Sequence, residues 1–304
     1  MPDIVTVKGL TKTYGKVRAV DGIGFTVAEG EIFGFVGPNG AGKTTTWEIL
    51  EGLRTADAGE VRVAGFDMRR GPREARNVLG IQLQATALFE KLTVRETLHT
   101  FGKLYDQMLP VPKLLDLVNL EEKADAFTET LSGGQKQRLA VALALVNDPK
   151  VVFLDEPTTG LDPQARRSLW EVIEGLRETG KTIMLTTHYM EEAERLCDRV
   201  GVIDHGKILA LDSPKRLVQG LGKAQAVEFT ANGGDAAAFH GLPGIDEVKV
   251  EDGVVILYTK HLEASLPAVF TKASEEGVRV EDLRIRAPNL EDVFIALTGR
   301  RLRE

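Results

Sequence analysis

Three observations predict an α/β fold followed by a smaller α+β unit. A glycine-rich loop at residues 37–45 follows a short apolar run and opens a helix-like stretch. Strand-like and helix-like stretches alternate from residue 151 to residue 220. Beyond residue 223 the order changes to strand, helix, strand, strand, helix, strand and a last helix.

Taken in order, residues 4–10 alternate apolar and polar and predict a half-buried strand. Residues 11–16 read as a loop carrying Tyr14, and residues 17–27 as two short strands broken by the hairpin signal Asp21-Gly22. Residues 31–36 are an apolar run, a buried strand, and residues 44–50 a helix ending near Gly52. Residues 59–65 predict a strand, 72–77 a helical turn and 78–83 a strand. From 93 to 148 the pattern is helical, with Thr93 and Glu96 spaced as a capping box and Pro110 and Pro112 as punctuation. Residues 151–154 form a buried strand, 163–178 a helix, 182–186 a strand and 191–196 a helix. Two strands flank His205-Gly206, and Ser213 caps a helix ending at Gly220. A boundary at 220–223 separates a domain of residues 1–220 from one of residues 221–304. In the latter, strands are expected at 226–230, 247–251, 254–259 and 278–285, and helices at 235–240, 263–275 and 289–298, a ferredoxin-like order.

The chemistry starts at Gly37, Pro38, Asn39, Gly40, Ala41, Gly42, Lys43, Thr44 and Thr45, which fit G-x-x-x-x-G-K-[ST]. Glycines let the backbone N–H groups approach polyphosphate oxygens, and a helix start adds free donors and the positive end of its dipole. Lys43 supplies a point charge for the terminal phosphates, and Thr44 a hydroxyl for Mg²⁺. Asp155 and Glu156 end a buried strand, where an ionised carboxylate needs a partner. Asp155 is placed to hold Mg²⁺, and Glu156 to orient or deprotonate a water attacking the terminal phosphate. Ser132, Gly133, Gly134 and Gln135 open a further helix and make a second anion site of the helix-start kind.

Leu131 through Gln135 spells LSGGQ, and with it the chain resembles the ATP-binding-cassette ATPases. The resemblance covers residues 3–220 and implies a cassette fold: a core α/β sheet, an antiparallel β subdomain and a helical subdomain at about 85–148. Tyr14 matches the aromatic that stacks on adenine, and residues 37–45 the Walker A loop. Gln84 matches the glutamine that senses Mg²⁺, with Gln82 as the competing candidate. Asp155 and Glu156 match the Walker B acid and the catalytic base. Asp162 lies in the D-loop match, and His188 matches the switch histidine that contacts the γ-phosphate. In that family two domains dimerise head to tail, so Ser132 of one copy closes over the ATP held by the other. Both halves of such a site are present here, which implies a homodimer on ATP binding. The tail around Asn289, Leu290, Val293, Phe294 and Leu297 is similar to that of daunorubicin-resistance-type subunits of type-2 exporters. That implies a membrane permease as partner, a place on the cytoplasmic face of the membrane and a drug, lipid or similar cargo.

Composition narrows the alternatives. At 304 residues, 43% hydrophobic, the chain has material for one large or two modest cores. A formal net charge of −7 weighs against a duplex nucleic-acid partner. The one cysteine, Cys197, rules out an internal disulfide. The rival class, a soluble cassette ATPase acting on ribosomes or DNA, is disfavoured by a single cassette without sustained heptads or a basic patch. No apolar run reaches the ~18 residues of a membrane helix, so work at a membrane is expected through a partner.

Overall fold

The structure is a computed structural model and describes residues 2–71, 73–83, 88–222, 225–232, 236–251 and 253–299. Two compact units divide the chain, residues 1–214 and 215–303. In the first, β1 (Asp3–Tyr14) and β2 (Val17–Ala28) pair antiparallel, with Gly15 and Lys16 as the turn. The expected loop at 11–16 is thus strand up to Tyr14. The expected hairpin at Asp21-Gly22 is a bulge within one continuous strand: Leu10 pairs with Ile23 and Thr11 with Asp21, leaving Gly22 over at φ 68°. A tight turn and a glycine bulge draw on the same residue types, and here the partner strand decides between them.

β3 (Ile32–Val36) is buried throughout and runs through the glycine-rich loop into α1 (Lys43–Leu50). β4 (Ala58–Val63) and β5 (Phe66–Asp67) complete an antiparallel sheet in the order β2-β1-β4-β5. A 3-10 turn at Arg73–Asn77 leads into β6 (Leu79–Gln82). The helical stretch contains α2 (Val94–Gly102), α3 (Val111–Leu117) and α4 (Gly133–Ala144). The capping box of α2 forms: the Thr93 hydroxyl accepts from the Glu96 N–H at 3.2 Å, and the Glu96 carboxylate from the Thr93 N–H at 2.8 Å. β7 (Val151–Asp155), α5 (Pro163–Glu178), β8 (Thr182–Thr187), α6 (Met190–Leu196), β9 (Arg199–Asp204) and β10 (Lys207–Asp212) follow. The main sheet has the order β10-β9-β3-β8-β7-β6, parallel except for β10 at one edge. The C-terminal ends of β3, β7 and β8 therefore lie side by side, where ligands of such sheets bind.

A run of aromatic rings fixes these strand ends against α1. Phe25 of β2 stacks on Phe33 at 5.1 Å, Phe33 meets Phe35 at 5.5 Å, Phe35 meets Trp47 of α1 at 5.0 Å, and Trp47 meets Phe153 of β7 at 6.3 Å. Each such pair contributes about 0.5–1.5 kcal/mol beyond the area it buries. The run joins the antiparallel sheet, the loop-bearing strand, the helix after the loop and the strand carrying Asp155.

The second unit takes all of α7 (Pro214–Gly220) but its first residue, followed by β11 (Gln225–Asn232), β12 (Ile245–Glu251) and β13 (Val254–Thr259). α8 (Leu262–Glu276), β14 (Arg279–Arg286) and α9 (Leu290–Thr298) complete it. The sheet order is β12-β13-β11-β14, every pair antiparallel. Alternation along β13 serves two faces: Val255 and Leu257 pack with Phe229, Phe239 and Val269, while Ile256 and Tyr258 pack with Ile295 of α9. The helix expected at 235–240 is instead a 3-10 turn at Ala236–Phe239, cut short by Gly241 at φ 73°. Among the described residues no helix is long and apolar enough to cross a membrane.

Candidate nucleotide site

The loop between β3 and α1 is braced from behind by neighbouring backbone. The Gly206 N–H donates to the Ala41 carbonyl and the Asp21 N–H to the Gly206 carbonyl, both at 2.9 Å, and the Ala41 N–H donates to the Pro38 carbonyl at 3.2 Å. Gly42 has φ 102°, and a Cβ there would lie 2.3 Å from the Ala19 carbonyl oxygen. At Gly37 a Cβ would lie 2.1 Å from the Ile203 carbonyl oxygen. These two glycines are thus required by the chain's own packing as well as by any phosphate. Asn39 and Gly40 form the exposed tip. No side chain caps α1, so the N–H groups of its first turn, at Lys43, Thr44 and Thr45, are left for an anion.

Lys43 is buried and folded back on its own loop. Its ammonium donates to the Gly37 carbonyl at 2.8 Å and the Pro38 carbonyl at 3.2 Å, and lies 3.3 Å from Glu156 Oε1. Burial lowers its pKa, and the Glu156 carboxylate opposes that. Glu156 stands at φ 46°, a left-handed conformation rare for a residue with a Cβ. Its N–H is held by the Thr186 carbonyl at 3.1 Å and donates to the Thr186 hydroxyl at 3.0 Å. Its Oε2 accepts from the Thr159 hydroxyl at 3.2 Å and faces His188 Nδ1 at 3.1 Å. The hydrogen bond with His188 outweighs burial and, with Lys43, holds the Glu156 carboxyl at about 2. Asp155 goes the other way: burial raises its pKa against a hydrogen bond from the Thr186 hydroxyl. Two adjacent carboxyls are thereby pushed in opposite directions.

Lys43, Asp155, Glu156 and His188 thus meet at one place. Thr44 and Thr45 sit in the first turn of α1, Thr44 exposed. Tyr14 ends β1 with its ring near two cations, Lys12 Nζ at 5.5 Å and the Arg54 guanidinium at 5.3 Å. Asp162 caps α5, accepting from the N–H groups of Gln164 and Ala165, each at 2.9 Å. Ser132, Gly133, Gly134 and Gln135 open α4 with a reciprocal Ser132–Gln135 capping box, and Gly134 packs on Ala165 of α5. No hydrogen bond or ion pair among the described residues joins Ser132 to Lys43, Glu156 or His188. Gln84 lies outside the described residues. Its competitor, Gln82, ends β6 beside β7 and has a buried Oε1 with no donor among the described residues.

Sequence reasoning missed Thr186, which secures both acidic residues from the neighbouring strand. Its signal was the pair Thr186-Thr187 just before His188. Tyr189 was missed as well: it lies against His188 at 4.1 Å and beneath the Arg166 guanidinium at 4.0 Å.

A family model described as "ABC transporter" matches residues 20–159, and one described as "ATP-binding protein DrrA1-3-like, C-terminal domain" matches residues 220–298. The chain is 42% identical to the Nod factor export ATP-binding protein I of Rhizobium sp. (strain N33), over 98% of each chain. It is 36% identical to the linearmycin resistance ATP-binding protein LnrL of Bacillus subtilis (strain 168), over 99% of this chain and all of that one. Among solved structures it resembles an ATP-binding subunit of an ABC transporter (TM-score 0.63, 29% identity, 72% of this chain and 93% of that). It also resembles the ATP-binding cassette MJ0796 in a dimeric post-hydrolysis state with ADP and Pi (TM-score 0.61, 27% identity, 69% and 98%). The chain therefore belongs to the ABC transporter family, as one of its ATP-hydrolysing ATP-binding proteins.

Proposed function

We propose that the chain powers an exporter: it hydrolyses ATP in a site completed by a second copy and passes the resulting motion to a separate type-2 permease. The observation that carries the chemistry is the Lys43–Glu156–His188 cluster, packed at adjoining strand ends below a loop with free N–H groups. Tyr14 takes the adenine, and the loop N–H groups take the phosphates. Lys43 leaves the Gly37 and Pro38 carbonyls for the terminal phosphate. Glu156, freed from Lys43 and already ionised, accepts the proton of the attacking water. His188 holds the Glu156 carboxylate in place and reads the γ-phosphate from the next strand.

Mg²⁺ fits here by the chemistry of its donors: the Thr44 hydroxyl, the Asp155 carboxylate and the Gln84 amide are hard oxygen ligands, and waters and phosphate complete the set. When bound, it neutralises charge building on the phosphate oxygens. Gln82, with its orphan amide oxygen beside β7, is the alternative to Gln84.

Among the described residues no hydrogen bond or ion pair joins Ser132 or Gly134, at the capped start of α4, to this cluster, so the reading assigns them to the ATP of a second copy, arranged head to tail. Asp162 lies at that same junction. The dimeric relative supports closure of this kind. The relatives named for Nod factor export and linearmycin resistance support export as the direction, with a drug, lipid or similar cargo contacted by the permease. The chain then sits on the cytoplasmic face of the membrane, held there by that permease. Steady-state hydrolysis with the permease present tests the reading. Lys43→Ala and Glu156→Gln are each expected to lower turnover by about 100-fold or more. Turnover in Glu156→Gln within a few-fold of wild type would remove the base from the scheme.

A further inference from the structure

The helices α5 and α6, which follow β7 and β8, meet along a row of three side-chain pairs. The Arg166 guanidinium lies over the Tyr189 ring at 4.0 Å, the Trp170 indole N–H donates to the Glu192 carboxylate at 2.9 Å, and Arg195 Nε donates to the Glu174 carboxylate at 3.0 Å. A spacing of four along α5 and of three from the cap of α6 puts each set on one helix face. Glu192 is fully buried; burial pushes its carboxyl up, and the Arg166 charge works against that. Arg166 Nε is itself buried with no acceptor among the described residues. The guanidinium is thus committed to the ring face and not to a hydrogen bond from Nε. The row ends at His188. In extended backbone successive side chains point apart. Here the chain bends at His188, the Thr187 hydroxyl accepts the Tyr189 N–H at 2.9 Å, and the His188 and Tyr189 rings come to 4.1 Å at a tilt of 42°.

We propose that Tyr189, backed by Arg166, is a positioning residue for hydrolysis: its ring fixes the orientation in which the His188 imidazole meets Glu156 and the terminal phosphate. The proposal rests on the role given to His188 above. His188 Nδ1 faces Glu156 Oε2 at 3.1 Å, and among the described residues that is the imidazole's one polar partner. The second side-chain torsion of histidine has a broad preference, so the rotamer alone does not set the ring plane. A ring held by one hydrogen bond still turns about it, and a contact with a second ring removes that freedom. When Glu156 turns to the attacking water the hydrogen bond changes, and the contact with Tyr189 stays. A misplacement of about 1 Å costs on the order of a hundredfold in rate, so such a contact acts on turnover. Affinity for ATP is set by the loop N–H groups, Lys43 and Tyr14, and is left as it is. The Tyr189 ring, and not its hydroxyl, makes both contacts, so phenylalanine serves in its place and leucine does not.

The test sets Tyr189→Phe beside Tyr189→Leu in the full chain, in the same steady-state hydrolysis assay. Tyr189→Leu is expected to lower kcat by about tenfold with KM for ATP within about twofold, and Tyr189→Phe to keep both within about twofold. Arg166→Gln, which leaves the tyrosine ring in place, is expected to lower kcat by about threefold. A second readout is the order of the His188 ring from ¹³C relaxation on chain labelled at histidine, with the signal assigned by its loss in His188→Gln. Ring order is expected to fall in Tyr189→Leu and in Arg166→Gln and to hold in Tyr189→Phe. Wild-type kcat or unchanged ring order in Tyr189→Leu, an equal loss in Tyr189→Phe, or a loss carried by KM overturns the proposal. Fluorescence of the buried Trp47 and Trp170 reports whether Tyr189→Leu is folded, and if it is not, Arg166→Gln decides by the same two readouts. Wild-type turnover in His188→Ala sinks the role given to His188 instead, and ring order still decides whether Tyr189 holds it.

Discussion

Glu156→Gln should weaken the folded chain even without nucleotide. Among the described residues the carboxylate has three partners: Lys43 Nζ at 3.3 Å, His188 Nδ1 at 3.1 Å and Thr159 Oγ1 at 3.2 Å. A carboxyl held at about 2 in place of 4.5 corresponds to an upper figure of about 3 kcal/mol of stability at neutral pH. Solvent screening removes part of this, and Asp155 is relieved when its charged neighbour goes. The net loss expected is about 1–2 kcal/mol. Because the folded pKa is depressed, the contribution is complete above about 4.5 and fades as the pH falls towards about 2. Urea unfolding followed by tryptophan fluorescence measures it cleanly, since Trp47 and Trp170 are both buried in the first unit. Wild type and variant should differ by a constant gap from pH 8 to about 5 that narrows below. Equal midpoints at pH 7, or a gap that widens in acid, would refute the account of how Glu156 is held.

Two further predictions concern the frame around the site and the second unit. Gly42→Ala should cost more than about 2 kcal/mol, since it combines φ 102° with a backbone clash, whereas Gly40→Ala, at φ 80° in open space, should cost about 1 kcal/mol; the same urea assay ranks them, and a reversed order would contradict the bracing described. Arg286→Ala should cost about 3–5 kcal/mol locally, because it strips the guanidinium bonds at 2.6 and 2.9 Å from the fully buried Asp292; faster hydrogen exchange along β11 and β13 of the full chain is the readout, and unchanged exchange would show that Tyr258 and Asn289 suffice.

What the sequence made legible was local. The glycine pattern, the caps at Thr93, Ser132, Asp162 and Asn289, and the buried run ending in Asp155 each depend on residues within a few positions of one another. What it hid depends on pairing across the chain. Asp21-Gly22 is a bulge because β1 runs alongside it, and Tyr14 is in a strand for the same reason. Thr186 reaches Asp155 because β8 lies next to β7 in register. The left-handed backbone of Glu156 follows from two anchors on that same threonine.

The central claim is that each chain carries half of two sites. Mixing two inactive variants tests it directly. Lys43→Ala spoils the loop half and Ser132→Arg the closing half, so each homodimer has no working site. In a mixed head-to-tail pair, the intact loop of one chain meets the intact Ser132 of the other. Random pairing then restores about a quarter of wild-type hydrolysis. Recovery of that order, absent from either variant alone, is the predicted result. A mixture as inactive as its parts, with mixed dimers verified by differential tagging, would contradict the shared site.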